Sequence, residues 1–169
     1  MIQYSEIGKE QIRELLNANW MTHDAAWFAL TASRFGIDET NILNRQAVRS
    51  MARAEAKRLR KLLGIRKIND FAELQNFLIS AFDIIRGKFM AFSLEFREPN
   101  EMLWKVPGCF AHDGVKRLGF IDKYECGIVE RLFGWFEELD IRYSLTPLPD
   151  GCNMQRLGKC EMKVCFEFP

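Results

Sequence analysis

Gly87-Lys88-Phe89-Met90-Ala91-Phe92-Ser93-Leu94-Glu95-Phe96-Arg97-Glu98-Pro99-Asn100-Glu101-Met102-Leu103-Trp104-Lys105-Val106-Pro107-Gly108 is the stretch that decides the fold. Before it, apolar residues recur every three or four positions. From Gly87 onward they begin to alternate. Phe89, Ala91, Leu94 and Phe96 sit among Lys88, Ser93, Glu95 and Arg97, the period-two pattern of a strand with one buried face. Glu98-Pro99-Asn100 is a turn signal. Met102 to Val106 returns as a second strand, and Pro107-Gly108 ends the hairpin.

Upstream of that switch the chain reads as helices. Ile7, Ile12, Leu15, Leu16 and Trp20 fall on a helical period over 5–21. Thr22 is a candidate N-cap for a second helix over 23–35, stopped by Gly36. Asp38 is the expected cap of a third helix running to Leu63 and Gly64. Asn69 or Asp70 opens a fourth, and Asp70 followed by Glu73 has the spacing of a capping box. Downstream, a short helix is expected over 111–118 and a stronger one over 123–139. In the latter, Cys126, Val129, Leu132, Phe133, Phe136 and Leu139 share a face. Ile141 to Leu145 and Lys163 to Phe168 supply two more strands, separated by a loop at Pro147, Pro149, Asp150 and Gly151. The fold class is therefore α+β. An N-terminal helical layer (1–86) packs on one face of a C-terminal antiparallel sheet of about four strands (87–169), as one domain spanning 1–169.

Composition narrows the function classes. At 169 residues with a net charge of +1, the chain suits one globular domain. That balance argues against a surface built for nucleic acid. No apolar run approaches the roughly 18 residues of a membrane span, and Met1 to Glu6 has no features of an export signal. The expected location is the cytoplasm, with the five irregularly spaced cysteines as thiols. Fourteen Phe and four Trp are enough to leave an apolar patch for a homo-oligomer.

Two carboxylates interrupt apolar helical stripes. Asp24 lies one turn from both Trp20 and Trp27, and Glu55 sits between Met51, Ala52 and Leu59. A carboxylate withdrawn from water must be paired, protonated or metal-bound. Either both line a polar pocket between helices, or each meets a nearby base such as Arg34, Lys57 or Arg58. His23 adjoins Asp24 but projects about 100° away. The expected ligand-binding set is Trp20, His23, Asp24, Trp27, Glu55, Arg58 and Cys126.

A second constellation is Cys109-Phe110-Ala111-His112. The spacing lets an imidazole lower a thiol's pKa at a helix start, as a hydrolytic Cys–His pair requires. If a metal is bound, Asp24, Glu55, Cys109 and His112 are its candidate ligands. The cysteines do not repeat in the close pairs of a zinc site. No cofactor is identified, and a small molecule is the expected partner. Cys152 and Cys160 flank a glycine-containing loop that could close on a ligand. The third helix is basic, with Arg45, Arg49, Arg53, Lys57, Arg58, Arg60 and Lys61, continued by Arg66 and Lys67. That face either binds an anionic partner or is balanced by acids such as Glu137, Glu138 and Asp140.

The pattern Trp20-x-x-His23-Asp24-x-x-Trp27, then Gly36, then Glu55-x-Lys57-Arg58-Leu59 and Leu63-Gly64 resembles the helical half of the L-2-amino-thiazoline-4-carboxylic acid hydrolase-like family and its uncharacterised relatives. Cys109, Gly119, Cys126 and the closing Cys165-Phe166-Glu167-Phe168 resemble that family's second half. The resemblance implies a cytosolic small-molecule protein that opens a cyclic C–N bond by hydrolysis. Read from the residues themselves, a hydrolase would use Cys109 as nucleophile and His112 as its base, with Asp24 or Glu55 as the polar wall of the pocket. The tail from Tyr143 to Phe168 is also similar to the small-molecule-binding domain of the 4-vinyl reductase type, although it departs from that domain's cysteine pattern.

Overall fold

The structure, a computed structural model, describes residues 2–168. A 3₁₀ turn (Tyr4–Glu6) leads into six helices and four strands. They run α1 (Lys9–Phe35), α2 (Ile37–Leu62), α3 (Phe71–Ile85), β1 (Ser93–Arg97), β2 (Glu101–Val106), α4 (Phe110–Arg117), α5 (Gly127–Glu138), β3 (Arg142–Thr146), α6 (Asn153–Leu157) and β4 (Cys160–Glu167). The α+β reading holds. Helices fill the first half, and the strands form one antiparallel sheet in the order β1-β2-β4-β3.

Several boundaries differ from the sequence reading, each for a local reason. The helices expected over 5–21 and 23–35 are a single helix, α1. Thr22 does not cap, because its hydroxyl donates to the Ala18 carbonyl one turn back at 2.9 Å, a bond that lets threonine sit mid-helix. Asp38 is not the cap of α2 either. Gly36 alone joins α1 to α2 at φ +84°, a backbone region open to glycine, and Asp38 falls in the first turn. There its charge still complements the helix dipole. At α3 the expected cap is present: the Asp70 carboxylate accepts from the Glu73 amide at 2.8 Å. The Glu73 carboxylate returns to the amide of Asn69 instead of Asp70. β1 starts at Ser93, not Phe89, and the short helix α6 was not foreseen.

The sheet buries one face. Met102, Trp104, Met162, Val164, Phe166 and Leu145 join Leu74, Phe77 and Leu78 of α3 and Leu132, Trp135 and Phe136 of α5 in one core. The other face carries Glu95, Arg97, Lys105, Glu101 and Lys163, with Glu95 paired to Arg97 along β1 and to Lys105 across to β2, and Glu101 paired to Lys163 across to β4. Against the sheet-covering layer, α2 crosses α5 very closely. Ala52 and Ala56 are fully buried, and a Cβ at Gly134 would lie 2.6 Å from the Ala52 Cβ and 2.7 Å from the Arg49 carbonyl. Only glycine fits that crossing.

The basic face of α2 is the rim of the same crossing. Arg45 and Arg49 both reach Glu130 of α5, at 2.8 and 2.7 Å. Arg45 also pairs with Glu125, Arg49 and Arg53 with Glu137, and Arg60 with Glu138 at 3.9 Å. Most of the arginines that suggested an anionic partner are thus neutralised within the fold. Two of the acids foreseen as balancing charge, Glu137 and Glu138, take part.

Candidate functional site

α1 is the least packed of the long helices, with Ala32 its single fully buried residue. Its first half is tied to the end of α3 and the chain beyond it. Arg13 donates to the Asp83 carbonyl, Asn17 to the Ile85 carbonyl, and Glu14 accepts from the Lys88 amide. Its second half bridges toward α2, α4 and α5 and leaves a cavity of ≈ 280 Å³ among the four helices. Trp20, Phe28, Met51, Val48, Phe110 and Ile128 give its apolar wall, and Asp24 and Arg131 reach it as charged groups. Arg117 lines it at the exposed C-terminal end of α4. The volume approaches the lower range of small-molecule sites. No sheet strand contributes to the wall, so the pocket lies within the helical layer and not between helices and sheet.

Asp24 lines this cavity. It is half-buried, no described residue donates a hydrogen bond to it, and burial raises its carboxyl pKa, opposed in part by His23. Trp20 shares the cavity. On the outer side, an open groove of ≈ 540 Å³ between α1 and α2 shares Trp20, Asp24, Phe28, Asn44, Val48 and Met51 with it. His23 and Trp27 belong to that groove. The Trp27 indole N–H donates to His23 Nε2 at 3.1 Å, and Trp27 remains 63% exposed.

Glu55 is placed otherwise than the pocket reading had it. It stands behind Arg131 and not on the cavity wall. Arg131 donates twice to its carboxylate, at 2.8 and 2.6 Å, and the Trp135 indole N–H donates at 2.9 Å. The partner is neither Arg34, Lys57 nor Arg58, and Arg58 is exposed, away from the cavity. Arg131 also lies over the Trp20 ring, 5.3 Å from its centroid. Glu55 therefore fixes the guanidinium that braces Trp20. Sequence reasoning missed Arg131; its signal was a lone cation on the α5 face nearest the Glu55 stripe.

The Cys109–His112 pair is not assembled as a nucleophile and base. Cys109 caps α4, and its sulfur accepts from the His112 backbone amide at 3.5 Å. The imidazole turns away, Nδ1 to Asp113 at 2.9 Å and Nε2 to Gln155 at 3.4 Å. Burial pushes the Cys109 thiol up, not down. Cys126 does not face Asp24. With Cys109, Cys152 and Cys160 it lines a separate void of ≈ 30 Å³ beneath the sheet. Burial pushes the Cys126 thiol up to about 12 and the Cys160 thiol up to about 11. Irregular sequence spacing hid this gathering of four thiols from four separate elements. Among the described residues no three His, Cys, Asp or Glu side chains stand together as metal ligands. Asp24, Glu55, Cys109 and His112 do not converge on one ion.

Fold and site together define a two-layer α+β domain with a cavity held in its helical overhang. Residues 5–139 match a family of unknown function, DUF6125, and the chain belongs to that family. The matched segment contains every cavity residue named above and stops before β3. No curated protein and no solved structure matches the chain. No helix among the described residues is long and apolar enough to cross a membrane.

Proposed function

We propose that this chain is a small-molecule-binding domain whose ligand occupies the cavity between α1, α2, α4 and α5. One observation carries the reading. A half-buried carboxylate, Asp24, stands without a hydrogen-bond partner in a cavity walled mainly by aromatic and aliphatic side chains. Withdrawing an ionised group from water without pairing it is unfavourable, so such a group suits a site that a ligand completes. Convergence of a few polar groups on an apolar concavity is the usual form of a small-molecule site. The paired arginines of α2 and the raised Cys109 thiol lend nothing to the anionic-partner and hydrolytic readings.

The test is native mass spectrometry of the purified chain beside an Ala111→Phe variant, which places a ring in the cavity. The expected result is a retained small molecule, or stabilisation by one from a fragment collection, in the wild-type chain and its loss in the variant. A folded wild-type chain that carries nothing and answers to no fragment would remove the reading.

A further inference from the structure

The geometry points to an organic amine as the ligand of this cavity, its ammonium group seated against Asp24 and its apolar body within the ring of Trp20, Phe28, Met51 and Phe110. The inference rests on the small-molecule reading above and goes one step further, to the charge of the ligand.

It follows from counting which charges of the wall are already satisfied. Asp24 is the one carboxylate lining either the inner cavity or the outer groove among the described residues. Arg131 is engaged by both oxygens of Glu55 on one side and by the Trp20 ring on the other. It offers neither a partner to Asp24 nor a free docking point for an anion. Arg117 stands at the exposed end of α4, where water screens it. His23 is turned to Trp27, whose indole N–H donates to its Nε2 at 3.1 Å, and among the described residues it makes no hydrogen bond to Asp24. Asn44, the Tyr124 hydroxyl and, in the groove, Thr31 and Thr40 are polar groups of the wall that carry no charge, and the Tyr124 hydroxyl is already an acceptor for the Gly127 amide at 3.1 Å.

Position agrees with charge. The inner cavity and the outer groove share Asp24, so the carboxylate stands where the two voids meet. A ligand entering by the groove brings its cation to the carboxylate while its body goes inward. A charge-assisted hydrogen bond from an ammonium group would satisfy the carboxylate that the fold leaves bare. A hydroxyl would satisfy one lone pair without neutralising the charge, and an anion would meet repulsion.

Three probes of one shape test this: phenethylamine, 2-phenylethanol and 3-phenylpropionate, each titrated into the full chain by isothermal calorimetry with ligand-observed NMR as a check. The expected result is at least tenfold tighter binding of the amine than of the alcohol, with the acid weakest. In Asp24→Asn, shown folded by circular dichroism, the preference of amine over alcohol should vanish. Equal affinities for amine and alcohol, or tightest binding of the acid, overturn the amine inference and leave the cavity reading standing. Binding of none of the three at millimolar concentration overturns the amine inference, and if no fragment of any charge binds either, the cavity reading falls with it. The wild-type comparison decides the matter even if the variant does not fold.

Discussion

Removing the Glu55 carboxylate should destabilise the domain far more than the carboxylate's sequence neighbourhood suggests. Its side chain is 17% exposed and that of Arg131 16%, so the pair is largely withdrawn from water. Breaking a buried pair from one side costs about 3–5 kcal/mol, because the remaining charge is left uncompensated. Partial exposure puts Glu55→Met near the lower end, and loss of the acceptor for the Trp135 indole adds about 1 kcal/mol. Arg131→Met should cost about 3 kcal/mol, again by orphaning its partner. The double variant replaces both charges by apolar side chains, which is close to neutral in comparable pairs. It retains only the unsatisfied Trp135 N–H, so it should be no worse than either single change.

Urea unfolding followed by Trp fluorescence reads all four corners of this cycle. For a domain of this size, about 1 kcal/mol moves the thermal midpoint roughly 2–4 °C, so in a parallel thermal melt Arg131→Met should unfold about 6–12 °C early and Glu55→Met about 8–16 °C early. With single costs of about 4 and 3 kcal/mol and a double variant at about 1 kcal/mol, the measured coupling should reach about 6 kcal/mol, above the roughly 0.5–3 kcal/mol usual for residues in contact. A Glu55→Met cost below about 1 kcal/mol, or a double variant as unstable as the sum of the singles, would refute the claim that the two side chains act as one unit.

Four further expectations follow from the same geometry. Gly134→Ala should lose about 1–3 kcal/mol through overpacking against Ala52 and the Arg49 carbonyl, measurable as a lower urea midpoint with an unchanged slope. Asp24→Asn should raise the melting temperature of the ligand-free chain at neutral pH. Burial lifts the folded carboxyl above its ordinary value of 3.8, so its ionisation favours unfolding as pH rises through that interval, and a melting series from pH 3 to 7 should show the gap opening. The thiols of Cys109, Cys126, Cys152 and Cys160 around the void should alkylate slowly at pH 7.5 in the native chain and quickly in denaturant. Because burial holds Cys126 at about 12 and Cys160 at about 11 against an ordinary 9.0, the folded state keeps its protons longer, and stability should fall as pH climbs above about 9. Finally, amides of α1 should exchange with deuterium faster than those of α2, α3 and α5, since α1 buries little apolar area, and a bound ligand should slow them between Trp20 and Phe28.

What could be read in the chain was governed by how local the cause was. The strand alternation around Leu94, Phe96 and Met102 depends on residues two apart, and the sheet came through with small errors at its ends. The Asp70 cap of α3 was legible for the same reason. Thr22 misled because its hydroxyl can cap a new helix or back-bond within an old one, and the choice rests on whether the chain turns. Asp24 was legible as a misfit because the stripe it breaks lies on its own helix. Glu55 was equally legible as a misfit, yet its partner was not. Arg131 stands 76 positions away, and nearer bases such as Lys57 and Arg58 are a better guess until α2 and α5 are known to cross. The thiol gathering around Cys109 failed to show for the same reason: its members come from four elements whose meeting is a property of the topology.

These long-range contacts also explain why the cavity lies where it does. Sheet, α3 and α5 close one core, and α2 is locked to α5 by Gly134, Ala52 and the arginine rim. α1 has no such surface to dock on. It is joined to α2 by one glycine and tied at its first half to the end of α3. Near its middle, the Trp20 ring lies against Arg131, which the Glu55 carboxylate, itself held by the Trp135 indole, anchors in the core. A helix held at its first half and braced at Trp20 leaves space beneath it. The side chains that look into that space, Trp20, Asp24 and Phe28, recur at one-turn spacing along α1. On the small-molecule proposal, an element so lightly packed would gain more from a ligand than the rigid core could, because the ligand would supply apolar contacts and a counter-charge that the fold itself withholds. Part of the binding energy would then appear as ordering of α1. That is why the Asp24 substitution and the exchange rates of α1 should move together while the Glu55–Arg131 cycle moves the whole domain.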